Sequence, residues 1–131
     1  MIDYEVDIFN AVYPAVATLC ADKRFVSKRI TGDPKLPAAS LWEISNTTVR
    51  DRQDSSRTEV FASIAYQSEV FARTKRECRE IVKAMEDKLI AIGFTKFSGD
   101  YIDNPGKQDV ERYVGRYEAE IDRNGMIYRK R

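Results

Sequence analysis

Residues 74–94 read TKRECREIVKAMEDKLIAIGF, and this stretch decides the fold. Thr74 and Glu77 have the spacing of a capping box, in which the two side chains satisfy free backbone amides at a helix start. Gly93 is placed to end the helix in the left-handed conformation, and Phe94 to begin a strand. Between these ends, apolar residues at helical spacing predict one buried stripe, formed by Cys78, Ile81, Val82, Met85, Leu89 and Ile92.

Alternating patterns on both sides of this helix predict β-strands. Before it, residues 58–71 form a long strand that carries Ala62, Ile64 and Tyr66 on one parity. After it, a return strand runs to about Tyr101, and a loop over residues 102–109 follows. Residues 110–121 then place small and aromatic side chains on one parity and charged ones on the other, which predicts a half-buried antiparallel strand. The inward set is Tyr113, Gly115, Tyr117, Ala119 and Ile121.

A tight hairpin over residues 122–125 returns as a short strand over residues 126–128. At the other end of the chain, residues 3–21 predict a helix, with Phe9, Val12, Val16 and Leu19 at helical spacing. Pro14 predicts a kink or break near Val12 and Tyr13. Residues 23–35 form a connector in which Val26 and Ile30 make a short edge strand, and residues 37–45 form a further strand.

These elements predict an α+β fold, with a mainly antiparallel sheet of four to five strands and two helices packed on one face. A length of 131 residues fits a single domain over residues 1–131. The acidic first residues, 1–5, do not have the form of a signal peptide, so we do not expect export. Cys20 and Cys78 are accordingly expected to be buried free thiols rather than a disulfide.

Composition argues against most catalytic classes. The chain contains no histidine, which removes the usual general base of serine and cysteine hydrolases and the commonest zinc ligand. The net charge is +1, so no global field attracts nucleic acid or an acidic membrane. No phosphate-binding loop is present, and no apolar run is long enough to span a membrane. We therefore expect no enzyme activity and no cofactor.

Three weaker patterns were weighed against structural alternatives. Carboxylates near the C-terminus could hold Mg²⁺ in a nuclease; they are Asp109, Glu111, Glu118, Glu120 and Asp122. Glu118 and Glu120, however, share one parity with Arg112 and Arg116, which fits a charged exposed strand face better. Arginines between Arg50 and Arg79 could bind phosphate, but acidic residues are interleaved with them. An aromatic set could stack bases, yet a core role is favoured; its members are Phe94, Phe97, Tyr101, Tyr113 and Tyr117.

The polar segment 46–57 lies between two predicted strands and predicts an unusually long hairpin tip. Its charges alternate in sign, which suits pairing with a second copy of the chain or with a charged partner. We predict that this tip forms a subunit or partner interface through Arg50, Asp51, Arg52, Asp54 and Arg57.

The order of these elements resembles the tail terminator, or tail completion, proteins of long-tailed bacteriophages. The resemblance lies in the passage from Pro37-Ala38 through Glu43 to Asn46, the polar tip, and the charged helix ending at Gly93-Phe94. The closing stretch 112–117, RYVGRY, is also similar to "minor capsid" members from phages and prophages. The likeness spans nearly the whole chain without a diagnostic motif.

The resemblance implies a ring, commonly a homo-hexamer, at the head-proximal end of the virion tail. Such a ring would cap the tail tube protein, end its polymerisation and offer a face to the head connector or stopper protein. DNA would pass through the lumen without sequence-specific binding, and no membrane would be involved. Two alternatives stay open: a head–tail adaptor of the same neck, and a small metal-dependent nuclease that uses carboxylates such as Glu118.

Overall fold

The computed structural model describes residues 1–32, 35–49, 61–102 and 109–129. A short 3-10 turn, Ala21–Lys23, follows the first helix. The helices and strands, in chain order, are α1 Glu5–Ala17, β1 Phe25–Val26, β2 Ala38–Thr48, β3 Phe61–Ala72, α2 Lys75–Ile92, β4 Thr95–Tyr101, β5 Glu111–Asp122 and β6 Ile127–Tyr128.

The described strands form one sheet in the order β1-β2-β3-β5-β4, and β6 pairs with the far end of β5. The fold is α+β, as predicted. The sheet is mixed, however, because β1 runs parallel to β2 while the other neighbours are antiparallel. Alternating patterns in β2 to β5 predict the antiparallel core, whereas a two-residue strand is too short to reveal its direction.

The pairing of β3 with β5 runs without a shift from Phe61 opposite Asp122 to Ala72 opposite Glu111. Because β4 also runs antiparallel to β5, β3 and β4 are parallel, and α2 is the crossover between them. Strand β5 fills the gap that this crossover leaves. Strand β4 therefore lies at the edge of the sheet, with α2 beside it.

The ends of α2 are formed as predicted. The Thr74 hydroxyl accepts a hydrogen bond from the Glu77 amide at 3.1 Å, and the Glu77 carboxylate accepts one from the Arg73 amide at 3.2 Å. At the other end Gly93 adopts φ +118°. Its Cα hydrogens lie against Ile127 of β6, so a side chain at position 93 would meet both a strained backbone and a steric obstacle.

Both helices pack on one face of the sheet and share one hydrophobic core. The predicted stripe of α2 is buried except for Ile92, which is partly buried. The predicted inward parity of β5 is also buried throughout, and β3 contributes Ala62, Ile64, Tyr66 and Val70. Cys20 and Cys78 are buried free thiols, as predicted.

The first helix differs from the prediction at both ends and in its interior. It spans Glu5–Ala17 and continues through Pro14 without a break. Its buried residues are Ile8, Val12, Val16 and Ala17, while Leu19 lies beyond the helix and is exposed. Proline removes one backbone donor, and packing of the buried stripe against the sheet and α2 offsets that loss.

Two further expectations were wrong in part. The predicted edge strand contains Phe25 and Val26, whereas Ile30 is buried outside any strand. The predicted aromatic core includes Phe94, Tyr113 and Tyr117, but Phe97 and Tyr101 of β4 are exposed. Phe97 sits where the register of β4 against β5 shifts, on the outermost strand of the sheet.

Ion pairs at i,i+4 spacing join Arg73 to Glu77 at the start of α2 and Arg76 to Glu80 within it. Lys83 and Asp87 have the same spacing and do not pair with each other. Lys83 lies on the flank of α2 that faces β4. Exposed pairs of this kind gain too little free energy to fix two long side chains.

The sheet face opposite the helices carries a buried acid. Glu69 of β3 is only 3% exposed, and its carboxylate accepts hydrogen bonds from Arg112 at 3.3 Å and Gln67 at 3.4 Å. Arg112 also stacks over Phe71, with 5.7 Å between the guanidinium carbon and the ring centroid. This charged pair anchors β3 to β5 on the side where the apolar core is absent.

A substitution at Gly99 of β4 tests how closely the Tyr113 side chain packs against this strand. A Cβ at this position would collide with the hydroxyl of Tyr113, which crosses from β5 under β4. We expect Gly99→Ala to lower the free energy of unfolding by about 1–3 kcal/mol, as overpacking does. Urea denaturation followed by circular dichroism measures this difference.

Two variants control the Gly99 test. Tyr113→Phe removes the colliding hydroxyl, so the Gly99→Ala change should cost much less in that background. Ser98→Ala, at the next position of β4, should change stability by less than about 0.5 kcal/mol. An unchanged cost of Gly99→Ala in the Tyr113→Phe background would contradict this packing.

Candidate functional site

The hairpin tip was the predicted interface, and its five charged residues lie outside the described part of the chain: Arg50, Asp51, Arg52, Asp54 and Arg57. The base of the hairpin is described. Strands β2 and β3 pair as far as Thr48 opposite Ala62, and the Val49 amide donates to the Phe61 carbonyl at 3.0 Å. The described strands are thus paired up to the point where this segment begins and ends, and the interface role of its charged residues stays a prediction.

The C-terminal carboxylates are spread along β5 rather than gathered. Within residues 1–32, 35–49, 61–102 and 109–129, no group of three or more metal-ligating side chains is close enough to hold an ion. Glu111, Glu118, Glu120 and Asp122 are distributed along a strand of twelve residues. Asp122 instead organises the turn to β6, because its carboxylate accepts hydrogen bonds from the amides of Asn124 and Met126 at 2.9 Å.

The thiols and the described arginines also have structural roles. Burial raises the pKa of Cys20 and of Cys78 to about 11, so both thiols stay protonated and unreactive near neutral pH. Arg73 and Arg76 are paired with glutamates on α2. Arg79 turns toward β4, where its Nε donates to the Tyr101 hydroxyl at 3.3 Å.

The β2 edge of the sheet is closed by the N-terminal segment. The amide of Ala39 in β2 donates a hydrogen bond to the carbonyl of Arg24, on the side of β2 where β1 lies. Because alternate amides of a strand point to the same side, the amide of Glu43 also faces this edge. The Glu5 carboxylate accepts that amide's hydrogen bond at 2.6 Å. Asn46 donates to the Ile2 carbonyl at 2.7 Å. Side chains thus occupy positions that a neighbouring strand would otherwise fill.

This closure crowds three carboxylates, Asp3, Glu5 and Glu43, which we call the acidic edge. Burial raises the pKa of Glu43; the hydrogen bond from Asn46 opposes the shift, while the charges of Glu5 and Asp3 add to it. None of the three forms an ion pair in the part of the chain that the structure describes. Among the described residues, no cation therefore neutralises their repulsion through an ion pair.

The opposite edge, along β4, has the reverse charge. Lys75, Arg79 and Lys83 lie on the flank of α2 that faces β4, and we call them the basic edge. The Lys75 ammonium lies 5.2 Å from the centroid of the Tyr101 ring, next to the contact of Arg79 with the same tyrosine. These three cations form no ion pair among the described residues, whereas the nearby Lys96 is paired with Glu86 at 2.7 Å.

The β4 edge also concentrates exposed apolar side chains. Phe97 is 49% exposed, Tyr101 40% and Ile102 39%, and Ile90 of α2 is 42% exposed beside them. Among the described strands, β4 has a neighbour on one side only, so its outer backbone groups lack sheet partners. An open strand edge flanked by apolar and basic side chains can bind a further strand or an acidic, apolar surface.

The chain matches no model of a known protein family, and no curated protein matches it. In the described residues, no helix is both long enough and apolar enough to cross a membrane. The arrangement at the two edges must therefore be interpreted from its own geometry.

Sequence reasoning missed both edges. The acidic edge joins Glu5 to Glu43 across 38 residues, and the basic edge becomes an edge only because α2 crosses over to β4. The one signal in the sequence was the run of Phe97, Tyr101 and Ile102 after Gly93. We interpreted its first two members as core because aromatic side chains on adjacent strands under a helix are usually buried.

Glu43 gives a test of the crowding at the acidic edge. Its raised pKa means that folding disfavours the charged form, so Glu43→Gln should stabilise the protein at pH 7. As pH falls through the raised folded pKa and below the ordinary glutamate value, wild-type Glu43 takes up a proton and the advantage should disappear. Thermal unfolding at pH 7 and pH 4 measures this.

Glu80→Gln makes the same chemical change on the exposed surface of α2 and is the matched control. It should alter stability by less than about 0.5 kcal/mol at either pH. If Glu43→Gln instead lowered the melting temperature at pH 7, the carboxylates at this edge would be mutually compatible and the crowding argument would be wrong.

Proposed function

We propose that this chain is a structural assembly protein rather than an enzyme, and that it acts as a tail terminator of a long-tailed bacteriophage. In this role, copies of the chain form a ring, commonly a hexamer, on the end of the assembled tail tube. The ring stops polymerisation of the tube protein and presents a face to the head connector. DNA passes through the lumen without being read.

The observation that supports an assembly role best is that one edge of the sheet is closed by side chains while the other edge is open. Side chains of the N-terminal segment close the β2 edge, whereas β4 is left open and carries exposed Phe97 and Tyr101. Isolated proteins normally protect both edges because an open edge invites association. One closed and one open edge suit a protein whose ordinary state is an assembly.

The fold supports the phage assignment through the resemblance found in the sequence. Its element order, from α1 through the hairpin of β2 and β3 to α2 and the final strands, agrees with the order on which that resemblance rests. A head–tail adaptor of the same neck is the second candidate, because it too would be a ring-forming protein of this size. The two candidates differ in whether the chain binds tube ends.

Tube capping is the direct test. The chain should be added to polymerising tail tube protein, and the tubes examined by electron microscopy. A terminator should bind one end of each tube and shorten the mean tube length as its concentration rises. A chain that binds the connector but leaves tube growth unchanged would be an adaptor, and one that binds neither would contradict both assignments.

The hairpin tip can be tested in the same assay with Arg50→Gln, Arg52→Gln and Arg57→Gln combined. If each arginine makes one charge pair with the partner at roughly 0.5 kcal/mol, the three amount to about 1.5 kcal/mol, so affinity for tubes or for neighbouring subunits should fall about tenfold. The matched control removes three exposed charges elsewhere: Lys28→Gln, Arg76→Gln and Lys88→Gln. Equal behaviour of the two variants would exclude the tip from the interface.

A further inference from the structure

We propose that the basic edge of one copy docks against the acidic edge of the next copy, so that subunits join head to tail through opposite edges of their sheets. This proposal adds a subunit contact to the proposed function. Only the closure of the contacts into a ring rests on that function. The contact itself is argued from charges, exposure and strand geometry.

Charge complementarity is the first argument. The acidic edge holds three carboxylates and the basic edge three cations, and neither set finds an ion-pair partner within the described subunit. Isolated like charges at one place cost free energy, while opposite charges across an interface guide association and fix its register. The two sets balance when one copy meets another.

Apolar exposure is the second argument. Phe97, Tyr101 and Ile102 line the β4 edge, and Ile90 lies above them on α2. Beside the acidic edge, Val6 of α1 is 71% exposed and Ile44 of β2 is 43% exposed. Each edge thus combines exposed apolar side chains, which supply burial, with a group of three like charges, which supplies orientation.

Geometry determines what such a contact can build. The two edges lie on opposite sides of the sheet, so a contact between them uses two different surfaces of the same chain. Such a heterologous contact leaves one free edge at each end and continues until the ring closes. A symmetric pairing of two β4 edges would instead bring the two basic edges together, and repulsion between them disfavours it.

The charges on this chain's two edges indicate that a second copy of the chain binds the β4 edge. A different partner, such as a tube protein, could present an acidic strand to β4, but it would leave the crowded acids at the β2 edge without a counterpart. Head-to-tail contact gives the charges of both edges a counterpart with one interaction. The Glu43 amide needs no neighbouring strand in the free chain, because it already donates its hydrogen bond to the Glu5 carboxylate.

Charge reversal at each edge provides the test. Self-association of the wild-type chain can be followed by sedimentation velocity at concentrations up to about millimolar, where a dissociation constant of about that size becomes visible. We expect the wild-type chain to associate, and added salt to weaken the association. Lys75→Glu combined with Arg79→Glu should weaken it at least about tenfold, and Asp3→Lys should weaken it less. Mixing the two variants should restore association, because each reversed edge then meets a complementary one.

Lys88→Glu is the control, since it reverses an exposed charge on the side of α2 away from Lys75 and Arg79 and should leave association near the wild-type level. The proposal is overturned if the wild-type chain stays monomeric throughout, if this control weakens association as much, or if the mixture associates no better than either variant alone. Lost tube binding without any change in self-association would assign the β4 edge to the tube protein instead.

Failure of this contact and failure of the terminator role can be told apart. If the chain caps tubes but charge reversal leaves its self-association unchanged, the edge contact is wrong and the proposed function stands. If reversal and mixing behave as expected but no tube end is bound, the edge contact stands and the terminator role is wrong.

Discussion

The continuous pairing of β3 with β5 is the interaction on which the other features of this structure depend. Twelve consecutive residue pairs hold the two strands, and the Glu69–Arg112 contact joins them on the face without helices. Once β5 occupies that position, the crossover through α2 must deliver β4 to the outer side of β5. The exposed edge is thus a consequence of topology rather than of any local pattern in β4.

The same constraint places the two helices and the charges they carry. Helix α2 lies over β3 and β5 with its apolar stripe buried, so its Lys75, Arg79 and Lys83 flank projects beside β4. Helix α1 packs beside α2 on the same face of the sheet and brings Glu5 to the β2 edge. The opposite signs of the two edges therefore follow from which helix flanks each one. This polarity gives the subunit a direction, which a ring of identical copies requires.

Local patterns made part of this fold predictable. The cap at Thr74, the stripe through Met85 and Leu89, and the parity of Tyr113 and Tyr117 depend on residues a few positions apart, and the structure confirms them. The parallel direction of β1, the exposure of Phe97 and the capping of Glu43 by Glu5 depend on which strands become neighbours. The periodicity of the sequence does not determine which strands become neighbours, so these features could be seen only in the structure. The predicted charges of the tip, Arg50 to Arg57, lie outside the described residues and remain a prediction.

The central claim is that β4 is open in the free chain and covered when copies assemble. Hydrogen–deuterium exchange read out by mass spectrometry tests it, with free and associated chain compared at low and high concentration. We expect peptides covering residues 95–102 to exchange rapidly in the free chain and to gain protection on association, while β3 peptides stay protected in both states because their strand is paired on both sides. Unchanged exchange in residues 95–102 on association, with protection gained elsewhere, would contradict the claim.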